Sequence, residues 1–488
     1  MKTLNNTVVG KREERPIKVV QFGGGNFLRA FVDWMLQELN NAGLYHGDVA
    51  VIQLRPSGSI KKLAEQDGLY TLVQEGVKNG EWMTTTMVID ILREFVDPYE
   101  DYKAYLALAE VPTLAFVFSN TTEAGIVLDE SDCITDTPPQ TFPGKLLAFL
   151  YHRYQKFDGA IDKGLFIVPC ELIDDNGDEL HRCVKRLAEI HGLEPGFMKW
   201  LEEANTFTNT LVDRIVPGYP AGRLDELTEK LGYLDHNLVM GEVFHLWVIE
   251  DRNGIGHILD GKQAGLNIIF TKDIKPYKIQ KVRILNGIHT LMVPIAYLKG
   301  MDTVGDTMKD AQMLQLIKET VELEIIPATE HYLPKETLKA FASEVYERFS
   351  NPQIHHELMA ISLNSTAKFK TRLLPAALDY VKIHGVFPTR IAFSLAGLLV
   401  FYKGLRDEVK INLQDEPRLL DFYADVWSKY EANVLDVRGM VTAFLGLEAH
   451  WEQDLNAIVG LKEQVTNSVK AILADGMEVA LTNLLAKS

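Results

Sequence analysis

Three residues with the means to do chemistry, Lys281, Asn286 and His289, fall within the nine-residue stretch Lys281-Val-Arg-Ile-Leu-Asn-Gly-Ile-His289, which is otherwise apolar and compatible with a helix. Asn286 and His289 are three apart and share a helix face. Helical side chains lean toward the N-terminus, which returns both toward the turn holding Lys281. Five positions separate Lys281 from Asn286, roughly 140° around an ideal helix, so the set converges if Lys281 stands at the helix mouth with its side chain free to swing. Such a set suits reduction of a ketone. An ammonium gives or takes the proton, while an amide and an imidazole hold the oxygen on which negative charge develops. The same spacing also fits a helix with one lysine reaching along it to water and two polar groups satisfied in the core.

A reduction needs a hydride source, and the N-terminal half has the elements to hold one. Ile17-Lys-Val-Val-Gln-Phe22 reads as a strand, Gly23-Gly-Gly-Asn-Phe-Leu-Arg29 follows at once, and Phe27, Phe31, Trp34, Met35 and Leu39 then recur at helical spacing. Strand, glycine turn and helix form the context of a dinucleotide-binding turn, where glycines permit close backbone approach and the helix N-terminus offers free N–H groups to a pyrophosphate. Gly23 and Gly25 match the first two glycines of that pattern, and Leu28 stands at the third. A plain turn would use the same glycines.

Asp48-Val-Ala-Val-Ile-Gln-Leu54 reads as the second strand, with Gln53 and Arg55 where an acidic residue often binds ribose. Arg55 could meet a 2′-phosphate or stack on adenine, so this position leaves NAD and NADP both open. Thr113 to Phe118 and Gly164 to Cys170 are further apolar strands, separated by helical patterns such as Phe142 to Tyr154, with Glu179 to Ile190 after them. That alternation implies a mostly parallel, doubly wound α/β sheet of Rossmann-like type. The expected dinucleotide contacts are Phe22, Gly23, Gly24, Gly25, Asn26 and Phe27 at the first turn, Arg55 after the second strand, and Ser119, Asn120, Thr121 and Glu123 at the end of the third. The polar run after Phe118 equally suits a turn and helix cap.

Between about 205 and 275 the rhythm changes, with a Gly/Pro patch at Pro217 to Gly222 and strand-like pieces at Phe244 to Ile249 and Leu266 to Phe270. From Lys281 onward the pattern is almost wholly helical, as in Ile391 to Tyr402, Leu419 to Tyr430 and Val459 to Leu485. The expected division is a Rossmann-like domain over residues 1–275 and a helical substrate-binding and catalytic domain over 276–488.

With 488 residues, 47% hydrophobic and 24% charged, the chain is of ordinary globular composition. A net charge of −17 argues against a nucleic-acid surface. Cys133, Cys170 and Cys183 form no CxxC pair and read as reduced thiols. No apolar leader and no long apolar run stand out, so the expectation is a soluble, cytoplasmic protein with no membrane partner. Metal ligation is not expected: His355-His356-Glu357 and Glu242-Val-Phe-His245 lack the HExxH arrangement. No GxSxG elbow or GxxxxGK[ST] loop is present. Tyr277-Lys-Ile-Gln-Lys281 has the Tyr-x3-Lys spacing of short-chain dehydrogenases, in which a tyrosine is the acid, but the first-turn glycine pattern of that family is missing.

Taken together, Gly23-x-Gly25-x-Phe27-x-Arg29, Gln66-Asp-Gly-Leu-Tyr70, Thr122-Glu-x-Gly125, Asp213-Arg-Ile-Val-Pro217, Lys281-x4-Asn286-x2-His289 and Lys368 within Asn364 to Lys370 make the chain resemble the long-chain polyol dehydrogenase family. A closer likeness, to the hexuronate-reducing branch of that family, is carried by Phe118 to Gly125, Val168 to Asp174, Val212 to Val216, Asp273 to Lys278 and His450 to Asp454. The resemblance implies a zinc-independent reaction with Lys281 as general acid/base, Asn286 and His289 polarising the carbonyl, NAD as cofactor and a small keto-sugar acid as substrate. For its carboxylate Arg283, Lys368 and Arg372 are the candidate partners. Other substrates of the same family, a different uronate or a neutral polyol, remain open, as does a nucleotide-binding regulatory protein without turnover. Two departures stand out: Leu172 occupies the place of a family asparagine, and the acidic residue after the second strand is absent.

Overall fold

The computed structural model describes residues 2–486 apart from 57, 59, 123 and 353–355. Its Cα packing forms two compact units: residues 1–76 with 81–274, and Val77–Gly80 with residues 275–488.

In the first unit twelve strands are numbered in chain order. β1 (Ile17–Phe22), β2 (Asp48–Ile52), β5 (Leu92–Val96), β6 (Phe116–Ser119), β7 (Phe166–Pro169) and β8 (Thr206–Phe207) form one sheet in the order β5-β2-β1-β6-β7-β8. Every pair within it is parallel. Register decides what this sheet can do. Phe22 pairs with both Ile52 and Ser119, and Ser119 pairs with Pro169, so the segments beginning at Gly23, Gln53, Asn120 and Cys170 all leave from one carboxyl edge. Successive side chains point to opposite faces. Val19, Val49, Val51, Phe116 and Phe118 pack on one core with Phe31, Met35 and Trp247. Val20, Ala50, Ile52 and Val117 pack on the other with Leu146, Phe149 and Val184. Burial on both faces is what a doubly wound parallel sheet requires.

β3 (Tyr70–Lys78), β4 (Glu81–Ile89) and β10 (Val239–Glu242) make a second sheet, and β9 (Thr210–Asp213), β11 (Leu246–Glu250) and β12 (Ile268–Thr271) a third. The β3/β4 pair does not show in the sequence pattern. β3 is buried on both faces while carrying Gln74 and Glu75, and β4 is exposed from Glu81 to Thr86, so neither shows the apolar-polar alternation of a half-buried strand.

Among its described residues the second unit is mostly helical, with a short hairpin, Leu405–Arg406 with Val409–Lys410, inside the region expected to be almost wholly helical. Its central element is Thr389–Phe401, buried from Arg390 to Phe401. Gly397 on this helix admits Ile295 from Gly287–Leu298 and Met477 from Leu461–Leu485; a Cβ at residue 397 would lie 3.3 Å from the Ile295 side chain. Leu461–Leu485 is interrupted at Gly476, whose φ is 81°. No helix among the described residues is long and apolar enough to cross a membrane.

Candidate functional sites

The carboxyl edge of the parallel sheet carries a cavity of about 450 Å³ lined by Gly23, Gly24, Gly25, Gln53, Arg55, Asn120, Thr121 and Thr141, among others. Gly23 has φ 104°, a left-handed turn that glycine adopts without strain. Gly24 lies against Leu63 and Ile60, where a Cβ would come within 3.1 Å and 3.4 Å, whereas Gly25 faces open space. Gly25 is the extended N-cap of the helical run that begins at Asn26–Leu28 and continues through Arg29–Asp33 to Trp34–Asn41. Its first N–H groups have no partner within the helix, and a pyrophosphate could accept from them.

Six of the expected dinucleotide residues therefore line this groove: Gly23, Gly24, Gly25, Arg55, Asn120 and Thr121. The others differ in position. Phe22 is a core side chain against Phe142, Tyr105 and Phe149, so only its backbone is at the turn. Phe27 stacks on Phe31 with centroids 5.0 Å apart. The Asn26 amide oxygen accepts from Arg29 at 2.6 Å. Ser119 is fully buried and donates to Glu171 at 3.1 Å. Glu123 lies outside the described residues. Glu171 ties β6 to β7: it also accepts from the Thr121 N–H at 2.9 Å and from the Thr121 hydroxyl at 3.0 Å, while Asn120 donates to the Cys170 carbonyl at 2.6 Å. Burial pushes the Glu171 carboxyl up, against these hydrogen bonds, which lower it.

Gln140, Thr141 and Phe142 were missed by the sequence reading, although Thr141-Phe-Pro143 has an N-cap signature. The Thr141 side chain accepts from Gly144 N at 3.0 Å at the start of Phe142–Lys156, whose N-terminal residues join the groove wall.

The second site lies in the helical unit. Lys281 does not stand at a helix mouth: the helix starts at Lys275, a turn and a half earlier. The segment Lys281–Asn286 is instead a π-helical insertion, which continues into Gly287–Leu298. Its i→i+5 pairing brings residues five apart over one another, closing the angular gap that an ideal α-helix leaves between Lys281 and Asn286. The Asn286 amide has no hydrogen-bond partner among the described residues, and only its backbone carbonyl is used, by Thr290 at 3.0 Å.

His289 is 9% exposed, and its Nε2 is buried with no hydrogen-bond partner among the described residues. Its ring is stacked on Phe349, with centroids 4.2 Å apart and planes 18° apart, and meets His356 edge-on at 5.2 Å. Burial, then the fields of His356, Arg372, Arg348 and Lys368, hold the imidazole well below its ordinary range and therefore neutral at pH 7. A neutral imidazole donates one N–H and accepts at the other nitrogen. Phe349, His356 and Arg348 are surroundings that residue spacing gave no sign of; His355 lies outside the described residues.

Lys368 and Arg372 reach this site from Ser365–Lys368 and the π-helical Phe369–Leu373. Gly287 makes the approach possible: a Cβ there would lie 3.3 Å from Leu373. Lys368 donates to the Ile361 carbonyl at 2.7 Å. Burial lowers it, followed by the field of Arg372. The Arg372 guanidinium is half-buried, lowered by that burial, and has no ion-pair or hydrogen-bond partner among the described residues. Arg283 is a correction. It is 6% exposed, donates to the Ala328 carbonyl at 2.8 Å, pairs with Asp379 and lies over the Tyr332 ring. A guanidinium already committed in this way is part of the scaffold and is not available to a substrate carboxylate. Among the described residues no group of three or more His, Cys, Asp or Glu is placed to hold a metal ion.

Comparison with known proteins gives the following matches. The mannitol dehydrogenase Rossmann domain matches residues 17–259, and the mannitol dehydrogenase C-terminal domain matches residues 273–473. The chain is 45% identical over 481 residues to altronate oxidoreductase of Bacillus subtilis (strain 168), covering 99% of this chain and 98% of that protein. It is 42% identical over 485 residues to altronate oxidoreductase of Escherichia coli O6:K15:H31, covering 99% and 100%. In fold it is similar to Pseudomonas fluorescens mannitol 2-dehydrogenase, solved as a ternary complex with NAD and D-mannitol (TM-score 0.68, 22% identity, 100% of both chains). It is likewise similar to a D-sorbitol dehydrogenase (TM-score 0.80, 24% identity, 99% and 100%).

Proposed function

The chain belongs to the mannitol dehydrogenase family of NAD-dependent oxidoreductases, and we propose that within it this enzyme reduces D-tagaturonate to D-altronate with NADH, reversibly. The curated relatives' activity on altronate supports the sugar-acid class. The observation that supports the choice of an acid over a neutral sugar is the half-buried Arg372, which has no ion-pair partner among the described residues, standing beside a second cation, Lys368, in a chain of net charge −17. A buried charge without a counterion is costly, and an anionic substrate supplies one.

In this reading the glycine-turn groove holds the dinucleotide, with the pyrophosphate over Gly23 to Gly25. NAD, when bound, supplies or accepts the hydride. Lys281 delivers the proton to the nascent alkoxide oxygen during reduction and removes it from the hydroxyl in oxidation. Asn286 and the neutral His289 donate hydrogen bonds to that oxygen as its charge develops. Lys368 and Arg372 receive the carboxylate and fix which carbonyl is presented. Leu172 brings no amide to this task, so the oxygen relies on Asn286 and His289.

The test is oxidation of NADH with D-tagaturonate, D-fructuronate and D-fructose, with and without EDTA. The expected result is fastest turnover with tagaturonate, little with fructose and no effect of the chelator. Preference for fructuronate or fructose would overturn the substrate assignment. NADH binding without turnover on any of them would favour a regulatory dinucleotide-binding protein.

A further inference from the structure

Directly behind the glycine turn is a sealed polar cluster that the reaction as described does not use. Gln21, Asp33 and Tyr70 are fully buried and Arg29 is 7% exposed. The Gln21 amide Nε2 donates both to the Gly23 carbonyl, at 3.0 Å, and to Asp33 Oδ2, at 3.4 Å. Tyr70 donates to the Arg29 carbonyl at 2.8 Å and reaches Asp33 Oδ2 at 3.5 Å, while the Arg29 guanidinium lies over the Tyr70 ring. Gln21 Oε1, Asp33 Oδ1 and Arg29 Nε have no partners, so the cluster is under-satisfied at the back of the turn.

We propose that Asp33, acting through the Gln21 amide, is a positioning residue for the glycine turn, and that its protonated form favours dinucleotide binding, so that binding draws in a proton. The inference rests on the groove being the dinucleotide site. One amide nitrogen is shared between the carboxyl and the Gly23 carbonyl. Its two N–H groups reach one acceptor each. An ionised Asp33 puts a buried negative charge behind the seat of an anionic diphosphate; a neutral Asp33 does not. The charged and titratable groups facing Asp33 are Arg29 from its own helix and Tyr70 from β3. Asp235 acts on those two and not on Asp33 itself. Burial, which outweighs the lowering by Gln21, Arg29 and Tyr70, raises Asp33 to about 7, inside the working range. Among the described residues lining the groove, Arg55 is the one ionisable side chain.

Linkage makes this measurable: if a proton favours NADH, NADH must favour the proton. NADH is titrated into the whole enzyme calorimetrically at pH 7 in buffers of different ionisation enthalpy, and its affinity is followed from pH 6 to 8. The expected result is uptake of roughly 0.3 to 0.5 proton per NADH and an affinity roughly three- to tenfold weaker at pH 8 than at pH 6. Asp33→Asn keeps the shape and removes the titration, so both effects should vanish while NADH still binds. Binding without proton exchange in the wild type would overturn the proposal and leave the dinucleotide groove standing. Unchanged uptake in Asp33→Asn would also overturn it. No NADH binding at any pH would overturn both. The wild-type series decides the matter even if the variant fails to fold.

Discussion

The two units place buried charge in opposite ways. Around the glycine turn, buried cations have polar neighbours: Arg29 faces Asp33 and donates to Asn26 and Asn237, and Arg214 donates to the carbonyls of Ala30 and Glu242. Among the described residues the groove has one charged lining residue, Arg55, so on the proposed reading phosphates would be held by backbone N–H groups and helix N-termini. Around His289 the fields come from His356, Arg372, Arg348 and Lys368, and Arg372 has no ion-pair partner among the described residues. On the proposed reading, the site that would hold the cofactor is built largely from backbone, and the site that would receive the acid is surrounded by cations. Both units also use π-helical insertions, Arg29–Asp33 in one and Lys281–Asn286 and Phe369–Leu373 in the other, to aim polar side chains off the ordinary helical stripe.

The comparison is most severely tested by removing the proton donor. Lys281→Ala should lower kcat by about 10²- to 10⁴-fold with little change in NADH affinity, whereas Tyr277→Phe should leave turnover nearly intact. The reverse ranking in steady-state assays would make tyrosine the acid. Next in size is the cation with no partner. Arg372→Gln should raise KM for tagaturonate by about 10- to 100-fold, the loss of a charged hydrogen bond, and should leave weak turnover of fructose unaltered. Equal losses on both substrates would reduce Arg372 to a packing residue.

The glycine turn gives a finer contrast. Gly23→Ala should cost roughly 1–2 kcal/mol in thermal unfolding, because its left-handed φ excludes a Cβ, and should weaken NADH binding. Gly25→Ala, with open space around it, should leave stability unchanged. Smallest is a pH effect. His289 stays neutral in the folded chain, and its unfolded counterpart gains a proton near pH 6.5. Its contribution to stability is therefore complete above about pH 6.5 and falls as the pH drops below it, by up to about 2 kcal/mol at pH 5. Melting scans of His289→Gln against wild type between pH 5 and 7 should show a shallower acid slope for the variant.

What the sequence made legible follows from how local each signal is. The strand, glycine turn and helix from Ile17 to Asn41 can be read because periodicity and turn chemistry lie within a few residues of each other. Lys281, Asn286 and His289 stood out for the same reason, but the π-helical insertion did not, since one extra residue in a helical turn leaves no compositional mark. Arg283 misled because its partner Asp379 is 96 residues away in sequence. The place of Phe349 and His356 beside His289 was illegible on similar grounds: their contact with His289 exists only once the helices pack. β4 was missed because an exposed strand, Glu81-Trp-Met-Thr-Thr-Thr86, has no buried face to impose alternation.

The most direct test compares kcat/KM with NADH for D-tagaturonate and D-fructose in wild type and in Arg372→Gln. The account predicts a preference for tagaturonate of at least about 10²-fold that falls by one to two orders of magnitude in the variant, fructose being unaffected. A wild-type enzyme that turns over fructose as well as tagaturonate, or a preference that survives loss of Arg372 intact, would contradict it.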